Sequence, residues 1–181
     1  MFEFQPNTSE YDFSNRPHRA NQAFLLNQAL GMFNQLRWDA FFERVKAAVL
    51  KRPRNLYDLE TIPSSQVRAR RYGGIQAVSL DRICGTLGRS RDFDNRFHPL
   101  NDRIRDRWVN IAVARHQNLV LEPVELIQVG DNYFVKDGHH RISVAHALGE
   151  TVMDAEVTVW DVTGCLPWEA NSAACRVPQT A

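Results

Sequence analysis

The fold prediction starts from one stretch, Tyr133-Phe-Val-Lys-Asp-Gly-His-His-Arg-Ile-Ser-Val-Ala-His-Ala-Leu-Gly149. Its first residues have the character of a strand, the Asp-Gly pair predicts a tight turn, and the remainder has the spacing of a short helix. Gly149 is a natural residue to end that helix. The stretch therefore predicts a strand, a turn and a helix in direct succession.

The turn between strand and helix carries an unusual charge pattern. Backbone N–H groups in the first turn of a helix lack partners and make that end positive, so acids are the usual residues there. Here the first turn carries His139, His140 and Arg141. Free N–H groups and an Arg fork suit a phosphate, and Gly138 allows its close approach. We therefore predict that a nucleotide's phosphates bind to Asp137, Gly138, His139, His140 and Arg141.

The turn also allows other interpretations. In the simpler one, Asp137 only caps the helix and Arg141 pairs with a nearby acid on the surface. A metal shared by histidines is disfavoured, because His139 and His146 would lie about 10 Å apart along a helix. A Mg²⁺ ion held by Asp137 together with the ligand phosphates is the metal site we expect.

Further strands and helices are predicted on both sides of this stretch. Alternating hydrophobicity, turn residues and helical spacing mark them. They are strands at 75–80, 124–129, 133–135 and 152–159, and helices after Pro99, with Asn101 as a possible cap, and at 140–148. The predicted class is α+β, a small mixed sheet with helices, preceded by an N-terminal helical extension.

The chain divides into four predicted segments. Residues 19–51 predict two packed helices closed by Pro53, and their aromatic stripe is typical of core packing. The segments are an irregular lead-in at 1–18, a helical extension and linker at 19–74, the α+β domain at 75–160 and a tail at 161–181.

Composition narrows the function classes. The chain has 22 basic and 21 acidic side chains, which disfavours a protein that coats nucleic acid or an anionic membrane. Its three cysteines form no CxxC pair, and no stretch has the length of a membrane span. We expect a cytoplasmic protein with no secretory signal.

The order of elements from Val78 to Trp160 resembles the ParB/sulfiredoxin superfamily. The resemblance lies in a first strand ending in Leu80-Asp-Arg-Ile83, a helix before Glu122-Pro-Val-Glu-Leu126, a hairpin, the Asp137-Gly-His-His-Arg141 turn, a helix ending at Gly149, and the closing strand Asp154-Ala-Glu-Val157. It covers slightly under half of the chain, and the turn is its specific part.

Members of that superfamily differ at the turn. ParB proteins carry Gly-Glu-Arg-Arg there and bind a cytidine nucleotide. Sulfiredoxins carry Gly-Cys-His-Arg and act on a sulfinic acid through the cysteine. His139 stands where that cysteine would lie and Cys84 is not at the matching place, so sulfiredoxin activity is rejected. The free serine kinases look most similar, because they use Asp-Gly-His-His-Arg.

Two functions remain open. The first is a nucleotide-binding regulatory or interaction module, with residues 19–51 as a partner-binding or self-associating arm. The alternative is an ADP- or ATP-dependent small-molecule kinase of the serine type. The resemblance then implies a separate carboxylate base, Asp92 or Asp94, and Arg89, Arg91 and Arg96 could steady an anionic substrate. The nucleotide would be ATP, ADP or CTP with Mg²⁺, and no direct DNA binding is expected.

Overall fold

The computed structural model describes residues 16–50, 56–88, 91–164 and 166, with side chains from residue 21 onward. Three α-helices and six strands make up these parts. The helices are α1 (Arg16–Leu50), α2 (Arg105–His116) and α3 (His139–Ala147). The strands are β1 (Tyr57–Asp58), β2 (Val67–Ser79), β3 (Ile83–Thr86), β4 (Val124–Val129), β5 (Asn132–Asp137) and β6 (Val152–Val162).

The six strands form one mixed sheet in the order β1-β3-β5-β4-β6-β2. Strands β1, β3 and β5 run parallel, β4 is antiparallel to β5, β6 is parallel to β4, and β2 is antiparallel to β6. The carboxyl ends of β3 and β5 therefore lie beside the start of β4. This architecture confirms the predicted α+β class with an N-terminal helix.

The strand–turn–helix prediction at the centre of the chain is confirmed. Strand β4 has the predicted bounds, β5 pairs with it as a hairpin, and α3 begins one residue earlier than predicted. Gly149 follows α3 with a φ of +73°, the left-handed conformation expected after a helix. A 3-10 turn at Asp102–Ile104 precedes α2, and Asn101 makes no side-chain capping bond there.

The N-terminal extension differs from its prediction. Residues 16–50 form one continuous helix where two packed helices were predicted, and Gly31 lies within it with open space around it. Buried Ala29 and Phe33 hold the first half of α1 against the domain, where Phe33 packs on Trp108 with 5.6 Å between ring centroids.

The segment predicted as a linker, residues 52–74, contains β1 and more than half of β2. Gly73 and Gly74 suggested a break, but both lie within β2 and allow its pairing with β6. A side chain at Gly73 would come within 3.1 Å of the Val157 carbonyl, and the register shifts at Gly74, whose φ is +83°. Glycine in a strand often marks such a bulge or close approach.

The ends of the chain were also predicted with other bounds. Helix α1 already includes residues 16–18 of the predicted lead-in, and β6 continues to Val162, beyond the predicted domain end at Trp160. The rest of the lead-in, residues 51–55 with Pro53, and most of the predicted tail lie outside the described residues.

Apolar side chains cover both faces of the sheet. On one face, Trp108 of α2 and Ile142 of α3 are fully buried, and the indole Nε1 donates a hydrogen bond to Ser143 Oγ at 2.8 Å. A smaller cluster covers the other face around Leu59 and Ile127. Among the described helices, none has both the length and the apolar character needed to cross a membrane.

The attachment of α1 can be tested by removing its buried ring. We expect Phe33→Ala to lower the free energy of unfolding by about 3–5 kcal/mol, because it opens a cavity against Trp108. Urea unfolding measures this loss. The matched control is Phe24→Ala on the same helix, a residue that is 65% exposed and whose loss should change the free energy by less than about 0.5 kcal/mol. Equal effects of both variants would contradict this packing.

Candidate functional site

The turn before α3 has a backbone that only glycine fits. Gly138 has a φ of +98°, and a Cβ there would come within 2.5 Å of Val124 Cγ1. No side chain caps the helix, so Asp137 does not act as the cap considered from the sequence. The positive N-terminal end of α3 therefore lies at the turn, as a phosphate site requires.

The two histidines of the turn point into the protein. His139 is 2% exposed and His140 is 6% exposed. A hydrogen bond of 2.6 Å joins His139 Nε2 to Thr86 Oγ1, and both imidazoles contact the Phe93 ring. These contacts fix the start of α3 against β3 and the loop after it. The histidines thus position the turn backbone.

Arg141 is also engaged within the protein. Its Nη1 donates to the carbonyl oxygens of Glu122 at 2.6 Å and Pro123 at 3.0 Å, and its Nη2 donates to Asp137 Oδ2 at 2.9 Å. The bond to Asp137 is the pair with a nearby acid that the simpler interpretation of the sequence predicted. The guanidinium ties the segment before β4 to the turn.

A cation that was not identified from the sequence borders the turn. Exposed Arg107 of α2 lines a small pocket with Ile111 and residues 137–141. No other described side chain pairs with its guanidinium. The signal was present in the spacing, because Arg107, Ile111 and Arg115 recur every four residues and so share one face of α2.

A larger cleft of 190 Å³ adjoins this pocket. Arg141 lines both spaces, and the cleft extends between Arg115, the segment Leu121–Pro123 and the start of β6. Arg115 is held by Glu150 through two hydrogen bonds of 3.0 and 2.6 Å. These two spaces, which share Arg141, are called the groove below; Arg107 lines the part at the turn, and Met153 lines the cleft.

Other acids lie at the carboxyl ends of the parallel strands. Asp58 at the end of β1 accepts a hydrogen bond from the Glu60 amide at 3.0 Å and a longer one from the Gly88 amide at 3.5 Å. The Glu60 carboxylate also contacts Gly88, two residues beyond Thr86. Sequence reasoning missed both acids because it placed them in a linker.

The two predicted catalytic acids lie in the loop before α2, and neither lines the pocket at the turn. Asp92 accepts a hydrogen bond from Asn101 Nδ2 at 2.9 Å. Asp94 is 6% exposed and accepts from the amides of Arg96 and His98, each at 2.9 Å. Both carboxylates organise their own loop, and a role as base stays a prediction. Arg89, predicted beside them, lies outside the described residues.

Asp94 also orients a histidine. His98 Nδ1 lies 3.2 Å from Asp94 Oδ2, and because a carboxylate can only accept, Nδ1 carries the proton. Burial acts to raise the pKa of Asp94, but the hydrogen bond and charge of His98 and the two amides outweigh it and lower the pKa below 3.8. The pair is a fixed carboxylate–imidazole unit.

His98 faces a second cleft, of 330 Å³, beside the other end of α3. The cleft also contains Asp81, Arg96 and His146. Burial lowers the pKa of His146 below 6.5, and the His98 charge adds to this effect, while Asp81 and Asp94 partly oppose it. The sequence gives His98 no role, because it stands alone along the chain, and it predicts His146 as a surface or core-edge residue.

The described residues offer little for thiol or metal chemistry. Cys84, whose thiol points toward the Tyr133 carbonyl at 3.8 Å, has its pKa raised to about 11 by burial, an effect that outweighs its backbone hydrogen bond. A thiol with such a pKa is a poor nucleophile.

Within the described parts, no three His, Cys, Asp or Glu side chains gather as a metal site. Asp137 alone suits Mg²⁺ only if phosphates supply the other ligands.

Comparison with known proteins gives one structural match. No family model matches the sequence, and no curated protein matches it. Among solved structures, the chain is similar to sulfiredoxin from Arabidopsis thaliana, with 22% sequence identity and a TM-score of 0.36, over 46% of this chain and 82% of that one. The α+β description therefore rests on the elements and the strand order given above.

The Asp94–His98 pair predicts a pH dependence of stability. Since the folded pKa of Asp94 is lowered, its contribution is present above the unfolded pKa near 3.8 and is lost as pH falls through the folded value. We expect Asp94→Asn to cost about 1–3 kcal/mol at neutral pH and to flatten the acid side of the stability profile. Urea unfolding from pH 7 down to pH 3 tests this, and parallel profiles for both proteins would contradict it.

Proposed function

We propose that this protein binds a nucleotide along the groove that starts at the turn before α3. The observation that carries the proposal is that Arg141 lines both the small pocket at the turn and the adjoining 190 Å³ cleft. A phosphate-bearing ligand with an organic part would match such a groove. The ParB-like resemblance of the sequence supports the same ligand class.

The phosphate end of the groove is the start of α3. The positive N-terminal end of α3 and the exposed Arg107 guanidinium are the groups that attract phosphate oxygens. The pocket itself encloses about 10 Å³, room for a single water, so the phosphate would sit at its mouth.

The other turn residues act indirectly in this proposal. His139 and His140 hold the helix start in place, and Arg141 holds the Glu122 and Pro123 carbonyls that border the cleft. This revises the expectation that all three side chains contact phosphates. Asp137 is half exposed beside Arg141 and would meet a Mg²⁺ ion brought by the nucleotide.

The organic end of the groove is the 190 Å³ cleft. Leu121, Pro123 and Met153 give it apolar surface against which a base or sugar can pack, and Asp154 offers an acceptor for an amino or hydroxyl group. These contacts suit a nucleoside without selecting one base. The preferred base is left to experiment.

Calorimetric titration with ATP, ADP, CTP and GTP in the presence of Mg²⁺ tests the proposal. We expect saturable binding of at least one nucleotide and about a tenfold or greater loss of affinity in Arg107→Gln, since a charge-assisted hydrogen bond to phosphate is removed. The matched control is Arg105→Gln, an exposed arginine of the same helix that does not line the pocket.

Two results would overturn nucleotide binding at the turn. One is the absence of heat of binding with all four nucleotides. The other is an equal loss of affinity in the Arg105 and Arg107 variants, which would indicate nonspecific attraction to a basic helix. Arg141→Ala is the less suitable probe, because it also releases the Glu122 and Pro123 carbonyls.

A kinase remains the alternative, and one observation favours it. Catalysis needs a carboxylate near the nucleotide, and exposed Glu60 lies against Gly88 at the same strand ends as Thr86 and the turn. Glu60 is therefore a third candidate base beside Asp92 and Asp94. Conversion of ATP or ADP in the presence of a small hydroxyl compound, lost in Glu60→Gln while binding persists, would identify a phosphotransferase.

The exposed half of α1 supports an interaction role. Trp38, Phe41 and Phe42 contact one another, with ring centroids 5.8–6.2 Å apart, yet each side chain is more than half exposed. Exposed aromatic clusters of this kind mark protein-binding surfaces. We propose that this cluster pairs with the same cluster of a second copy, as in a twofold interface.

Sedimentation velocity tests the self-association. We expect the protein to associate in a concentration-dependent manner and the double variant Trp38→Gln/Phe42→Gln to remain monomeric. Phe24→Gln is the control, since Phe24 is equally exposed on the other half of α1. A native protein that stays monomeric at the highest concentration reached would refute this role of the cluster.

A further inference from the structure

The 330 Å³ cleft beside the end of α3 shares no lining residue with the groove at the turn. It lies between the 3-10 turn Leu80–Arg82, the loop after Asp94, and the last turn of α3, with Leu36 of α1 at its border. Its volume is at the lower end of the range for small-molecule sites. It is therefore a separate space that could receive a small ligand.

The polar groups of this cleft come from three separate elements. Asp81 belongs to the 3-10 turn, Asn95, Arg96 and His98 to the loop, and His146 to α3. Apolar Leu80 and Ile83 are 2% and 4% exposed and form a rigid floor. Convergent polar side chains over an apolar floor are the pattern of a binding site rather than of a packing defect.

His98 is held in one orientation by groups behind it. Its Nδ1 donates to Asp94, which is itself fixed by two amides, and the chain between them passes through Phe97 at a φ of +59°. Phe97 in turn stacks on His146 with 5.9 Å between ring centroids. The remaining nitrogen of His98, Nε2, is left for a molecule in the cleft, and it donates to an oxyanion when the imidazole is protonated.

The charges in the cleft select the ligand class. Asp94 is already satisfied by His98 and two backbone amides, so it does not repel an anion strongly. Arg96 offers a fork of donors to an oxyanion, and the imidazoles add further polar contacts. Exposed Asp81 supplies an acceptor for a hydroxyl or amino group.

We infer that this cleft binds a small organic oxyanion, a carboxylate or a phosphate ester, whose anionic group meets Arg96 and His98 and whose hydroxyl or amino group meets Asp81. The ligand must be compact to fit 330 Å³. The site shares no residue with the nucleotide groove, so the failure of nucleotide binding would not affect this inference.

Histidine NMR on the full chain tests the inference, with L-lactate and inorganic phosphate as separate probes. Variants His98→Gln and His146→Gln assign the two ring signals. We expect both signals to move saturably with at least one probe, and the affinity to fall about tenfold in Arg96→Gln. Saturation with lactate alone indicates a carboxylate ligand, and with phosphate alone a phosphate ester.

Two control variants distinguish binding in this cleft from binding at other arginines. Arg91→Gln removes an exposed arginine of the same loop that lies outside the cleft, and Arg107→Gln removes the cation at the turn. Both should leave the His98 and His146 titrations unchanged. The inference is overturned if neither probe moves these signals saturably, or if either control variant weakens the response as much as Arg96→Gln does.

Discussion

The contact between Gly138 and Val124 is the constraint on which the rest of the domain depends. Gly138 directly follows β5 and Val124 begins β4, and their approach leaves no space for a side chain at position 138. The chain must therefore turn sharply into α3 at this point. That turn brings α3 onto the sheet, seats His139 against Thr86, and places the start of the helix beside Arg107 of α2. A larger residue at this turn would disturb the core and the candidate site together.

The sequence predicted the parts of the fold whose signals are local. Strand β4, the hairpin and α3 have clear alternation, a turn and a glycine stop, and all three were placed within a few residues. Strand β2 was predicted only in its last third, because its arginines and glycines are individually poor strand formers. Its stability comes from eleven paired positions along β6, and these contacts are not visible in a local pattern.

In the candidate site, too, the sequence predicted what a local pattern indicates and missed what depends on contacts between distant residues. The turn was found, since Asp137-Gly-His-His-Arg141 is contiguous. The burial of His139 and His140 was not foreseen, because it depends on Phe93 from a distant loop. The second cleft could not be found by spacing at all. Asp81, His98 and His146 are widely separated along the chain and meet only when the loop folds over α3.

The position of β2 at the end of the sheet has a consequence for solubility. One side of this thirteen-residue strand pairs with β6. Among the described strands it is the last in the sheet order, so none of them pairs with its other side. Three arginines, Arg68, Arg70 and Arg71, stand along it, and Arg70 lies over the Trp160 ring at 4.1 Å. If two copies of the protein paired along β2, the positive charges of these arginines would repel one another. The basic run and the bulge at Gly74 thus act as a guard against edge-to-edge aggregation.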